Sequence, residues 1–342
     1  MNKTNIRIDN KIRIARKEDI AKILCLMHDI FTETHSQKLK ELNAELYQWL
    51  YQDNPSGGSI TFISEFNGKI IGHYPSILTD LKVRDRVCKA GIVLDLLTHK
   101  DFRRRGMFKS LQETSMKELS RSGVDFCLAF PNQLSLPGFL KMGWKIIATI
   151  PLLVKPLILP VLSCKKKEGR VAVSEADEFD ERFDTLFKDS TKKIPTAVIR
   201  DRKYLNWRYR MKPAVKYRLL IAQNDKELLG YIVLRIRNIF AFRTGLIMDF
   251  LVKDGSPEIL GTLLEKAIDY LRKEGACTSI AILVKDSFYF SLFKNLGFMR
   301  LSERFNPRRF TLVGKLINSE IDREFFYDYR NWFITLGDWD VF

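Results

Sequence analysis

Residues 91–108 read GIVLDLLTHKDFRRRGMF: an apolar run carrying Asp95, a basic turn containing Gly106, and the first residues of a helical pattern. A turn between a strand and a helix exposes backbone N–H groups at the positive end of the helix dipole, and such a place attracts phosphate. Gly106 removes the side chain where a phosphate approaches closest, and Arg103 and Arg105 supply positive charge. Taken alone, the same letters also read as a basic surface turn, so the surroundings have to decide.

The surroundings contain a repeat. The apolar run GIVLDLLT has a partner in GLIMDFLV, which places Asp249 at an offset of 154 residues from Asp95. The same offset relates Phe139 to Phe293 and Gly143 to Gly297. Upstream of each aspartate strand lies a tryptophan motif, YQWLYQDNP around Trp49 and LNWRYRMKP around Trp207, followed by a hairpin with Asn67-Gly68 or Asn224-Asp225 at its turn. Downstream, apolar spacing predicts helices over 106–122 and 257–274, ended by Gly123 and Gly275, then a short strand, a short helix and another strand.

Each copy is therefore α+β: a mixed, mostly antiparallel sheet flanked by helices. The pattern divides the chain into 1–160, which carries the phosphate-type loop, and 161–342, with a linker between Pro151 and Gly169. The two copies differ at the decisive turn. At the 154-residue offset, Arg103 to Gly106 become Pro257, Glu258, Ile259 and Leu260, and Glu258 repels phosphate. The aromatic C-terminal segment FFYDYRNWFITLGDWDVF is expected to pack back onto the body, with Asp338, Asp340 and the terminal carboxylate as acidic groups near the cleft between the copies.

Composition narrows the function. The chain has 342 residues and a net charge of +16, with 57 Lys and Arg against 41 Asp and Glu, which favours anionic partners. The basic residues are scattered, and without a Cys/His finger or RNA-binding aromatic signature they argue against direct nucleic-acid binding. Five separated cysteines with no C-x-x-C pair speak against a disulfide framework or a zinc site and fit a reducing, cytoplasmic setting. The N-terminal residues lack an apolar signal core, and the oily passage IPLLVKPLILPVL is broken by Lys155, Pro156 and Pro160, so no transmembrane segment is expected.

With its element order, LLTHKDFRRRGMFKSL resembles the GNAT superfamily of N-acetyltransferases, whose signature is Arg or Gln, two residues, Gly, one residue, Gly or Ala. Arg103 and Gly106 match, while Phe108 replaces the second small residue. PNQLSLPGFLKMGWK is similar to a later motif of the superfamily, with Asn132, Phe139, Gly143 and Trp144 in its places. The resemblance extends over nearly the whole chain as a tandem GNAT fold, of the kind seen in Eis-like and polysaccharide-cluster acetyltransferases, with the specific motifs confined to the first copy.

That resemblance implies acetyl-CoA or another acyl-CoA as cosubstrate and no metal. The pyrophosphate would rest on Arg103, Arg104, Arg105, Gly106, Met107 and Phe108, with Lys109 nearby. The pantetheine arm would pair with Leu96, Leu97 and Thr98 and pass Asn132 and Phe139. Asp95, read as mid-strand beside that arm, is the candidate base or amine anchor; His73, His99 and Glu65 are weaker candidates. Phe139 stands where many relatives carry a proton-donating tyrosine, and phenylalanine has no proton to give. The expected acceptor is a small-molecule amine or amino sugar, and the expected state a monomer or homodimer. A Fem-type aminoacyl transferase using charged tRNA and a non-catalytic CoA sensor or scaffold are the competing functions.

Overall fold

The computed structural model describes residues 10–34, 36, 39, 42–157, 171–225, 227–239, 242–302 and 310–338. Residues 158–170 lie outside these, and with them most of the expected linker and the Lys165–Lys167 run. The first half opens with β1 (Lys11–Ile14), α1 (Ile20–Glu33) and α2 (Ala44–Tyr51), the last begun by Asn43, whose side chain accepts from the Leu46 amide. The hairpin of β2 (Ser59–Phe66) and β3 (Lys69–Val83) turns at Asn67 and Gly68, both left-handed with φ of 47° and 75°, as a two-residue hairpin loop requires. Then come β4 (Arg86–Val93), β5 (Leu97–Thr98), α3 (Met107–Arg121), β6 (Phe126–Ala129), α4 (Leu136–Lys141), β7 (Lys145–Ile150) and β8 (Leu152–Pro156).

The second half repeats the plan. It runs β9 (Ala172–Ala176), α5 (Arg182–Ser190), β10 (Thr196–Val198), α6 (Arg202–Tyr209), β11 (Arg218–Asn224), β12 (Glu227–Ile239), β13 (Phe242–Val252) and α7 (Pro257–Lys273). It closes with β14 (Thr278–Ile282), α8 (Phe288–Asn295), β15 (Met299–Arg300), β16 (Phe310–Leu316) and α9 (Arg323–Tyr327). Both long helices lie within a residue of the spans predicted from spacing, and Gly123 and Gly275 just beyond them are left-handed.

The first sheet has the order β1-β2-β3-β4-β6-β16-β7, with β5 and β10 also paired to β3; the second is β15-β8-β14-β13-β12-β11-β9. Each is antiparallel except at one pair, β4 with β6 and β13 with β14. A trade between the halves stands out: β16 lies between β6 and β7 of the first sheet, and β8 lies between β14 and β15 of the second. Each half thus gives its last strand to the other sheet, so a division of the chain near residue 160 is crossed by strands in both directions. Matching lysines lock the exchanged strands: Lys315 Nζ donates to Met142 O at 2.7 Å, and Lys155 Nζ donates to Leu296 O.

The tryptophans of the two repeats meet. Trp49 and Trp207 stack at 5.0 Å between ring centroids, and each indole N–H donates to the other's backbone carbonyl, at 2.8 and 2.9 Å. Both are buried, so they anchor the core, and their reciprocal bonds join the equivalent motifs of the two copies. The C-terminal segment packs as expected through Asp338: Trp332, Phe333, Ile334 and Leu336 are buried, and the Phe333 amide donates to Thr196 O. Asp340 and the terminal carboxylate lie outside the described residues. Among the described residues, no helix is long and apolar enough to cross a membrane.

Candidate active site

The basic turn makes a concave run of amides. Arg104 and Gly106 are left-handed, with φ of 62° and 79°, on either side of Arg105, and α3 starts at Met107 without a side-chain cap. Left-handed residues in such a turn aim consecutive N–H groups at one point, and an uncapped helix start adds its own. A Cβ placed on Gly106 would meet nothing within 4 Å, so the space over the turn is open. The Arg103 amide is already used by Lys100 O, so the donors left for an anion begin at Arg104 and run to Lys109.

The side chains of the run divide by task. Arg103 does not reach into the concavity; its guanidinium grips the Glu33 carboxylate at 2.8 and 2.6 Å, and its Nε donates to Thr98 O. That clamp ties the turn to the end of α1. Arg105 stacks over Phe102, Arg104 is exposed, and Lys109 lies near Glu113. Phe108 is half-exposed, its ring against Gly138 and Phe139.

Beside the turn the sheet opens. Pairing of β4 with β6 stops at Val93↔Ala129, while β5 returns to β3 through Gly72↔Thr98 and His73↔Leu97. The other edge of Leu96, Leu97 and Thr98 has no strand beside it among the described residues. Asp95 sits in this break rather than mid-strand: its φ of 45° turns the chain, a conformation Asp tolerates better than most residues. Asn132 closes the loop after β6, its Oδ1 accepting from the Leu134 and Ser135 amides, and Phe139 on α4 is buried between Phe108 and Trp144.

Asp95 gathers groups that sequence spacing did not bring together. The Tyr51 hydroxyl donates to its carboxylate at 2.8 Å, and His73 Nδ1 lies 3.0 Å from its backbone carbonyl. A carbonyl only accepts, so Nδ1 carries the proton. His73 is fully buried, with Tyr47 and Tyr51 around it, and burial pushes its pKa down to about 4. The folded value is depressed, so the associated stability is full above the ordinary histidine value near 6.5 and is lost as pH falls toward 4, by about 3 kcal/mol. Between pH 7 and 4.5, urea denaturation should therefore show a smaller loss of stability for His73→Gln than for the parent chain. The other two candidates stand apart: Glu65 pairs with Arg13 on β1, and His99 lies before the basic turn next to Asp101.

The second copy is the same architecture closed. Helix α7 begins at Pro257, four residues earlier than α3 at the 154-residue offset, so a helical turn fills the place of the concavity. Ser256 caps it by accepting from the Ile259 amide, and Pro257 brings no N–H. Asp249 is likewise sealed. Arg200 Nε bonds both its oxygens at 3.0 Å, Tyr209 and Tyr231 donate to it, and Arg200 also binds Asp338 from the C-terminal segment. A basic cleft of about 540 Å3, lined by Arg218, Arg235, Arg243, Tyr217 and Glu274 among others, lies toward the opposite end of α7 and is not a second concavity of this kind.

A family model described as an acetyltransferase (GNAT) domain matches residues 11–147. A GCN5-related N-acetyltransferase from Anabaena variabilis superposes with a TM-score of 0.68 at 10% identity, over 90% of this chain and 72% of that one. A tandem GNAT protein from the clavulanic acid biosynthesis pathway does so with a TM-score of 0.61 at 14% identity, over 92% and 100%. A glucosamine N-acetyltransferase region of a fungal multi-domain β-N-acetylglucosaminidase gives 0.60 at 13% identity, over 90% and 38%. No curated protein matches the sequence. The open strand break and the amide-lined turn thus lie within the residues that match the GNAT acetyltransferase domain model. The chain as a whole shares the fold of a tandem GNAT protein, with the signature turn in its first copy.

Proposed function

We propose that the first copy binds acetyl-CoA and that the chain transfers its acetyl group to a primary amine of a small molecule or amino sugar. The observation that carries this reading is the contrast within one chain: the strand, turn and helix are repeated, but the turn is open and amide-lined only in the first copy. Acetyl-CoA supplies an acyl group activated as a thioester. The amides from Arg104 to Lys109 hold the pyrophosphate, and the edge of Leu96 to Thr98, which has no neighbouring strand among the described residues, receives the pantetheine arm as an added strand. Asp95, oriented by Tyr51, attracts the acceptor's ammonium and takes its proton. Likeness in fold to a glucosamine N-acetyltransferase region supports an amino sugar as acceptor. The free cysteines Cys25, Cys88, Cys127 and Cys277 fit a cytoplasmic setting.

Thermal-shift titration with acetyl-CoA, CoA and tRNA tests the reading, followed by thiol release across an amine panel that includes glucosamine. Stabilisation by acetyl-CoA and CoA, with thiol release on some amine, is the expected result. No shift with acetyl-CoA overturns it. A shift with tRNA alone favours the Fem-type transferase, and binding without thiol release favours the sensor.

A further inference from the structure

Tyr74 is fully buried, yet its hydroxyl has no hydrogen-bond partner, which is unusual for a buried polar group. It lies on β3 next to His73, which pairs with Leu97, and two residues before Ser76, which pairs with Val93. It therefore stands opposite the break where Asp95 turns the chain. Side chains alternate along a strand, so His73 and Tyr74 face opposite ways. His73 joins Tyr47 and Tyr51, while Tyr74 packs in a cluster with Met107, Phe108, Phe139 and the last paired residues of the parting strands, Val93 and Ala129.

The rings in that cluster form a ladder. Tyr74 is 6.4 Å from Phe108, Phe108 is 5.6 Å from Phe139, and Phe139 is 4.9 Å from Trp144. Phe108 is the half-exposed rung, at the mouth of the amide-lined turn. The indole N–H of Trp144 is the ladder's other unpartnered donor, but it lies behind Phe139.

We infer that Tyr74 donates a hydrogen bond to the sulfur that leaves in acyl transfer, a task Phe139 is unable to perform. This rests on the acetyl-CoA reading above. In the reaction the amine nitrogen bonds to the acyl carbon, the C–S bond breaks with its electron pair remaining on sulfur, and the amine's proton leaves to Asp95 or water. Tyr74 keeps its own proton, because burial holds the phenol well above its ordinary value, so it stabilises the thiolate without protonating it.

Tyr74→Phe separates this role from a structural one. The ring is kept and an unpartnered hydroxyl is removed, so the variant should be as stable in urea as the parent chain, or more so. Its kcat should fall roughly 100-fold with KM for acetyl-CoA little changed. The thiol of bound CoA, titrated by the ultraviolet absorbance of its thiolate, should become harder to ionise, while desulfo-CoA binds as before. Parental kcat together with an unchanged thiol titration would overturn the inference, as would a clear loss of fold stability, which would show that the hydroxyl serves the fold. A parent chain that does not bind CoA would overturn the acetyl-CoA reading itself.

Discussion

Gly106→Glu should remove acetyl-CoA binding, by a factor of at least roughly 100 in Kd, while leaving a folded chain. Gly106 is left-handed at φ 79° and precedes the first residue of α3, with open space where its side chain would be. Because nothing crowds that space, the substitution acts through charge and backbone rather than through a clash. A carboxylate about 5 Å from a phosphate charge, at an effective dielectric constant of about 20, costs about 3 kcal/mol, and the left-handed backbone adds about 1 kcal/mol against the fold. Gly106→Ala is the control: it meets the backbone cost but adds no charge, so it should bind acetyl-CoA nearly as the parent does. Calorimetric titration of both variants, with circular dichroism to confirm the fold, checks this. High salt should recover part of the loss in Gly106→Glu, because screening weakens the repulsion. Equal affinity in Gly106→Glu and the parent would remove the turn from the cofactor site.

Arg200→Met should be the most damaging of these substitutions to stability, costing about 3–5 kcal/mol in urea denaturation. Arg200 is completely buried, and its guanidinium holds two carboxylates at once, Asp249 on β13 and Asp338 in the C-terminal segment. Its remaining N–H groups reach Val198 O and the Thr335 hydroxyl, and the group lies over Phe333 at 5.0 Å. Removing it leaves two buried acids without a counter-charge. Burial already pushes the Asp249 carboxyl up, Arg200 pulls it back, and Asp338 pushes it up further. In Arg200→Met the upward push loses its cationic opponent, and the Tyr209 hydrogen bond still pulls the carboxyl down. A carboxyl raised in the folded state gives its stability below the ordinary carboxylate value and loses it as pH rises, so the variant's deficit should be smallest near pH 4 and widen toward pH 8. Asp249→Asn in the same chain should recover part of the loss, because an amide oxygen still accepts from Tyr209 and Tyr231 without carrying charge.

The two substitutions probe the two copies of one plan, and the copies show how a fold keeps or closes a site. In the first, Asp95 turns the chain where β4 ends and stays half-exposed beside Tyr51. In the second, Asp249 remains within β13, and an arginine and the chain's own C-terminal segment cover it. The position 158 residues before Arg200, matching the offset of the paired tryptophans, is Leu42, an uncharged residue.

Much of this was legible in the sequence because the signals are local. Asn67-Gly68 fixes a hairpin through the φ that only a few residues adopt, apolar spacing fixes α3 and α7 to within a residue, and Gly106 ahead of a helix marks the open turn. The loss of that turn in the second copy was equally readable, since Pro257 and Glu258 forbid it by their own chemistry. The clamp of Arg103 on Glu33 was not readable, nor was the gathering of Tyr51 and His73 about Asp95. Those partners are distant in sequence, and a charge or a ring carries no mark of which distant group it will meet.

The sequence by itself determined two copies of an α+β plan, their turns and helices, and which copy keeps an amide-lined loop, because neighbouring residues set backbone conformation. Only the tertiary structure decided that β8 and β16 change places, that Trp49 and Trp207 close the joint, and that Arg200 and Asp338 seal the second aspartate. A β-strand offers the same backbone hydrogen bonds to any edge. Its partner is therefore chosen by the packing of the whole chain, and packing is a property no short stretch of sequence contains.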